Sequence, residues 1–287
     1  MKEVQQILVA TDRSAMAKEA LKRAISIAKK KSAQLIVVHV VEPLFFESPY
    51  TVSADLDAIR KQLAEEIDRL NSDAHVEYLL FVESGSAAGV ILRKAQKTQA
   101  DLIVVGSHGK DDLDSNYFGS TTLKLIQHTH IPVLIVKNEV KTAYQNMIVP
   151  TNLSGYSKQS ILFANTLFTG PHKKYLFAFE TIGKLQAMTY NISEEVAEEL
   201  RAIKTRDAAK AFTKFVKEIG EGEMGLIEYT ASINEDLLAY IKEEIADLLV
   251  LGSKGVDDLN SFVFGSTASY LLRRSPIDVL VYVPSLT

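Results

Sequence analysis

Asp101-Leu-Ile-Val-Val105-Gly-Ser-His-Gly109-Lys-Asp-Asp-Leu-Asp-Ser-Asn-Tyr-Phe-Gly119-Ser-Thr121 decides the fold, because it recurs as Asp247-Leu-Leu-Val-Leu251-Gly-Ser-Lys-Gly255-Val-Asp-Asp-Leu-Asn-Ser-Phe-Val-Phe-Gly265-Ser-Thr267. Each copy passes from a short apolar run, through glycines spaced Gly, two residues, Gly, nine residues, Gly-Ser, into a helix-like segment. That context is a strand, a glycine loop and a helix start. Gly106 and Gly109 are expected to turn the backbone with φ > 0 and let it approach a ligand, and Gly119-Ser120-Thr121 to open a helix whose free N–H groups and dipole favour an anion. The matching residues are Gly252, Gly255, Gly265, Ser266 and Thr267. The expectation is a phosphate cradle, present twice.

Working outward from the first copy, Ile7–Ala10 reads as a buried strand. It is followed by the turn Thr11-Asp12-Arg13-Ser14 and an amphipathic helix capped by Ser14, with Ala17, Leu21, Ala24 and Ala28 on its inner face. Leu35–Val41 is a second strand, Leu44–Val52 a loop, and a helix from about Ser53 carries Leu56, Ile59, Leu63, Ile67 and Leu70 on one face. His75–Val82, Leu102–Val105 and Ile131–Val136 complete the strands, and Ala87–Gln99 and Thr121–Thr129 the helices. In the second half Met147-Ile-Val-Pro-Thr-Asn152-Leu-Ser154 repeats the first strand and turn, Tyr175–Phe179 the second strand, and Val279–Val283 the last. A long helix over Ser193–Ile219 is read with Asn191 as its cap, and another covers Glu235–Glu244.

Strands that are continuous apolar runs, alternating with helices over short connections, predict an α/β fold with a parallel sheet covered on both faces. Right-handed crossovers then place a ligand beyond the carboxyl ends of the strands, where the winding reverses. The ends of the first and fourth strands, bearing Asp12 and the glycine loop, are the places to look. The repeat divides the 287 residues into domains 1–139 and 140–287, each of ordinary size. The joint, Asn138–Tyr144, is short and polar, so the halves are expected to pack together.

Composition narrows the function. Hydrophobic residues make up 47% and charged residues 24%, as in a soluble globular protein, and no apolar run reaches the ~20 residues of a membrane span. A net charge of −4 without a basic block argues against nucleic acid as a partner. The cysteine-free sequence and an N-terminus lacking a signal-like apolar core suggest a cytoplasmic protein. Gly220-Glu-Gly222-Glu-Met-Gly225 satisfies a dinucleotide glycine pattern but follows a helix and precedes a strand, the reverse of the context that pattern needs. The histidines show no metal spacing, and His128 and His130 read as structural.

On the two glycine loops and the strand-turn-helix that opens each half, the chain resembles the universal stress protein family, in its ATP-binding version and in tandem. The resemblance implies two doubly wound five-stranded parallel sheets, Rossmann-like and similar to the adenine nucleotide alpha hydrolases. It implies ATP as ligand, with magnesium as an accompanying ion. In the first half the implied nucleotide-binding residues are Ala10, Thr11 and Asp12 after strand one, Val40 through its backbone, and Val105, Gly106, His108, Gly109, Gly119, Ser120 and Thr121 around the phosphates. Asp111-Asp112 and Asp257-Asp258 read as solvated loop residues, with metal support as the alternative. In the second half Asn152 replaces Asp12, and Phe179 is read at the position of Val40. Phosphate affinity is therefore expected to persist there while nucleotide binding weakens.

No catalytic residue stands out, so the expectation is a stress-response or signalling protein that binds nucleotide, with at most weak ATPase activity or autophosphorylation at Ser120 or Thr121. The alternative is a slow ATPase or nucleotidyl- or phosphoryl-transfer enzyme of the same fold. The resemblance also implies association along the last strands. Val133–Val136 and Val279–Val283 are thus candidates for an internal pseudo-dimer seam, and a homodimer is a further expectation.

Overall fold

The computed structural model describes residues 3–42, 55–108, 119–252 and 265–283, with the side chain of Lys184 left aside. These residues fall into two compact units. The first runs to Ala143 and takes in the C-terminal strand that begins at Asp278; the second is Tyr144–Ile277.

The first unit opens with β1 (Gln6–Thr11), α1 (Ala15–Lys31), β2 (Gln34–Val41), α2 (Leu56–Asn71) and β3 (Tyr78–Ser84). It continues through α3 (Ala87–Lys97), β4 (Leu102–Gly106), α4 (Ser120–His128) and β5 (Val133–Val136). The strands lie in the order β3-β2-β1-β4-β5, all parallel. Ile7, Leu8, Leu35, Ile36, Leu102, Ile103 and Leu134 are wholly buried, as strands covered on both faces require. Helix α1 presents Ala17, Ala20, Ala24 and Ala28 inward, small side chains that bring it close to the sheet, and Ser14 caps it by accepting from the Ala17 N–H.

The second unit repeats the plan. It comprises β6 (Asn146–Thr151), α5 (Gly155–Leu167), β7 (His172–Glu180), α6 (Lys184–Thr189) and α7 (Glu194–Ile219). After these come β8 (Glu223–Tyr229), α8 (Ile233–Glu243), β9 (Leu248–Gly252) and α9 (Ser266–Arg274). Its order is β9-β6-β7-β8, again parallel. The chain's last strand, β10 (Asp278–Tyr282), pairs antiparallel with β5 in the first unit, Val279 opposite Ile135 and Val281 opposite Val133. The two segments singled out as a seam therefore do meet.

The aspartates that open the repeated stretch fasten each sheet. Asp101 accepts from the Gln5 and Gln6 N–H groups at 2.9 and 3.0 Å, and Asp247 from those of Gln145 and Asn146 at 2.7 and 3.0 Å. The polar joint is held by the first unit's own side chains. Glu19 accepts from the Val140 N–H at 2.8 Å, Arg23 donates to the Thr142 carbonyl at 2.9 Å, and Asp278 accepts from the N–H groups of Lys137 and Asn138.

Several expectations are corrected. Strand β3 starts at Tyr78, three residues late, because the Asn71 side chain holds both backbone groups of Val76 and His75 adopts φ 53°. Helix α2 starts at Leu56 under an Asp55 cap. Ser193, not Asn191, caps α7; Asn191, at φ 55°, closes the short helix α6 that periodicity did not reveal. The expected Leu44–Val52 loop and the helix start at Ser53 fall within residues 43–54, which lie outside the described residues. The discounted glycine triplet proves structural: a Cβ on Gly222 would stand 2.4 Å from the Tyr175 ring.

Candidate functional site

The first site forms where β1 and β4 end. After Thr11 the chain turns through Arg13 at φ 67°, a left-handed conformation stabilised locally by the Arg13 N–H donating to Thr11 Oγ1 and the Ser14 N–H donating to Asp12 Oδ1. The turn leaves Asp12 half-buried at the start of α1. Arg13 reaches across to α2, donating from Nη2 to Gln62 at 3.1 Å.

At the end of β4, Gly106 is required for a reason other than the expected one. Among the described glycines only Gly85 and Gly220 have φ in the left-handed region. At Gly106 a Cβ would lie 2.9 Å from the Met16 carbonyl carbon and 3.0 Å from the Ala17 nitrogen, so glycine lets β4 pass against the first turn of α1. Beyond it the described ends of the loop are stitched together. The Ser107 N–H donates to the Val136 carbonyl, the Gly119 N–H to the Ser107 carbonyl at 3.1 Å, and Thr122 Oγ1 to the Gly106 carbonyl at 3.3 Å. Ser14 Oγ donates to the His108 carbonyl at 3.5 Å, and Ser107 Oγ pairs with His108 Nδ1 at 2.7 Å. Helix α4 then begins at Ser120 with Gly119 as an N-cap that offers no side-chain acceptor. Its first-turn N–H groups therefore point outward without a side-chain cap, the arrangement that attracts an anion.

Ala10, Thr11, Asp12, Val40, Val105, Gly106, His108, Gly119, Ser120 and Thr121 all line one cleft of about 590 Å³. Gly109 lies outside the described residues. Residues not singled out from sequence as site residues also line it, among them Arg13, Ile59 from α2, Ala87 and Ile91 from α3, and His39 from β2. No sequence signal singles out His39, whose place opposite Thr11 emerges only from the strand register.

The second cleft, about 320 Å³, is built from the matching elements and is lined by Gly252, Gly265, Ser266 and Thr267. Gly255 and Lys254 lie outside the described residues, as do the two aspartate pairs. Helix α9 also starts behind a glycine, Gly265, without a side-chain cap. At the turn, Asn152 Oδ1 accepts from the Ser154 N–H at 3.1 Å and from Ser157 Oγ at 2.7 Å. Because a backbone N–H can only donate, the atom it meets is the amide oxygen, and the amide NH₂ is what Asn152 has left to offer.

The position of Phe179 is corrected. Thr11 pairs with His39 and Thr151 with Phe177, so Ala178 matches Val40 and Phe177 matches His39. Phe177 and Ala178 line the cleft, whereas Phe179 is buried. A shift of one residue in a strand exchanges its faces.

Among the described residues no group of three or more His, Asp or Glu side chains is placed to hold a metal ion, and no helix is long and apolar enough to cross a membrane. Residues 3–137 and 143–283 each match the family model described as the universal stress protein family. A universal stress protein of Methanocaldococcus jannaschii is 33% identical over 150 residues, covering 48% of this chain and 84% of the relative. A universal stress protein structure from Archaeoglobus fulgidus covers 99% of this chain and 100% of its own, with TM-score 0.65 and 17% identity. A functionally unknown protein from Pseudomonas aeruginosa covers 98% and 93%, with TM-score 0.67 and 18% identity. At those identities the structural likeness establishes the fold.

Proposed function

The chain belongs to the universal stress protein family, in a tandem arrangement, and from that premise we propose that it is a cytoplasmic stress-response protein that binds ATP in its first cleft and nucleotide more weakly in its second. The observation that carries this reading is convergence. An acceptor at Asp12, the backbone at the end of β2 around Val40 and the uncapped start of α4 face one cleft. Its volume, about 590 Å³, lies within the ~300–1,000 Å³ usual for small-molecule sites. The N–H groups at Ser120 and Thr121 take the phosphates, Asp12 takes the sugar hydroxyls, and the apolar walls from Ile59, Ala87 and Ile91 take the base. Magnesium, if it accompanies the nucleotide, is held chiefly by the phosphates.

Nucleotide occupancy, rather than turnover, is the output in this reading. Calorimetric titration of the full chain with ATP tests it. One strong site and one weaker site are expected; two equal sites, or no heat and no saturable binding, would overturn it. Steady ATP hydrolysis above about one turnover per second, in the range typical of enzymes, would replace a binding role by a catalytic one.

A further inference from the structure

His39 is a buried, titratable side chain in the wall of the first cleft to which neither the family match nor the reading above gives a task. Its Nδ1 lies 2.7 Å from the Thr11 carbonyl oxygen. A carbonyl only accepts, so Nδ1 carries the hydrogen and donates. That carbonyl belongs to the peptide joining Thr11 to Asp12, so the bond fixes the plane from which the Asp12 side chain departs. On the other side of the same residue, the Ser14 N–H holds Asp12 Oδ1. The carboxylate is thus oriented from its backbone and from its own oxygen.

The second cleft supplies an internal contrast. Phe177 stands at the same register, opposite Thr151, and a phenyl ring has no N–H to give. The half that carries the carboxylate also carries the donor behind it, and the half that carries an amide does not.

We propose that His39 is a positioning residue for the nucleotide site: by donating from Nδ1 to the Thr11 carbonyl it aims Asp12 at the sugar of the bound nucleotide, and so selects nucleotides over bare polyphosphate. This rests on ATP binding in the first cleft. It predicts a loss confined to what Asp12 reads, leaving the phosphate-binding start of α4 untouched.

The test uses the full chain with His39→Phe, His39→Asn and His39→Gln, each titrated with ATP and with inorganic tripolyphosphate. The asparagine Nδ2 stands two bonds beyond Cβ, as Nδ1 of histidine does, and reaches the same carbonyl; the glutamine amide lies one bond further out. Expected are ATP binding about tenfold weaker in the Phe and Gln variants, as loss of one aimed charged contact gives, and binding near wild type in the Asn variant. Tripolyphosphate affinity is expected to stay within about twofold throughout. Adding Asp12→Asn to His39→Phe is expected to weaken ATP no further, since both act through one contact.

Wild-type ATP affinity in the Phe and Gln variants, equal losses for ATP and tripolyphosphate, or an Asn variant as weak as Gln would each overturn the assignment while leaving ATP binding in place. The Asn and Gln variants settle it even if the Phe variant folds poorly, because they differ in reach alone. A wild-type chain that does not bind ATP removes the reading and this inference together.

Discussion

The two clefts share a scaffold and differ at three positions that matter. Both follow β1 or β6 with a left-handed residue, Arg13 or Leu153, and then a serine cap, and both line their cleft with an uncapped helix start. In the first, Asp12 and His39 line the cleft, as does Ala17 from α1. In the second, the matching residues are Asn152, Phe177 and Ser157. Ser157 donates to the amide oxygen of Asn152 and draws it toward α5. An acceptor at the first turn has become, at the second, a donor beside an aromatic wall. On the proposed reading, the duplicated part of each site handles phosphate, and the part that would distinguish one phosphate ester from another has diverged.

The scaffold itself offers the largest break in that comparison. At Gly106 a Cβ would meet backbone atoms of α1 at 2.9–3.0 Å, and at Gly252 the side chain of Ser160 at 3.1 Å. Backbone cannot rotate away; a serine side chain can. Gly106→Ala is therefore expected to cost about 2–3 kcal/mol, at the upper end for overpacking, and Gly252→Ala under about 1 kcal/mol. Urea midpoints of the two variants decide this, and a Gly252 variant hit as hard as the Gly106 variant would show the two packings to be equivalent.

Exchange of the ligand-facing pair is next in size. Asp12→Asn makes the first turn like the second and is expected to weaken ATP about tenfold, or ~1.4 kcal/mol. The reverse change, Asn152→Asp with Ser157→Ala, supplies a carboxylate and removes the hydroxyl that engages it. A gain of a few-fold at the second site is expected, limited by Phe177 and the smaller cleft. Calorimetry resolves both, and an Asp12→Asn chain with unchanged ATP affinity would sink the role given to the carboxylate.

The repeat made most of this legible. Two copies of strand, glycine loop and helix fix an alternating α/β fold, and Ser14, Asp12 and Gly119–Thr121 stand out because turn and cap chemistry act within a few residues. What was not legible depends on register or on distant atoms. Phe179 stands one residue beyond the match to Val40 because an apolar strand does not announce its pairing partner, and His39 gains meaning only opposite Thr11. The cause of the glycine at 106 lies in Met16 and Ala17, ninety residues earlier in sequence. Strand β3 starts later than its sequence suggests because Asn71, a polar residue at a helix end, intercepts Val76 through its side chain.

The smallest expected effect compares the outer strands of the two units. In the first, Lys94 on α3 pairs with Glu83 on β3, which Arg93 also approaches at 3.3 Å. In the second, Lys174 on β7 lies 2.8 Å from Glu223 and 2.6 Å from Glu244. Hydrogen bonding by Lys94 holds the Glu83 carboxyl below its ordinary range, and hydrogen bonding by Lys174 does the same for Glu244. A carboxylate depressed in the folded state contributes stability above its unfolded pKa, about 4.3, and loses it as the pH falls through the lower folded value. The carboxylates are partly exposed, so each cluster is worth under about 1 kcal/mol. Removing Lys94 leaves Glu83 beside Arg93, whereas removing Lys174 leaves two carboxylates facing the space one cation held. Lys174→Met is accordingly expected to cost about 1 kcal/mol at pH 7 and Lys94→Met a few tenths, with both losses shrinking toward zero near pH 3. Urea midpoints at the two pH values measure this. A larger loss for Lys94→Met, or losses that persist in acid, would show that these lysines act through their ammonium groups on the Phe81 and Tyr240 rings rather than through the carboxylates.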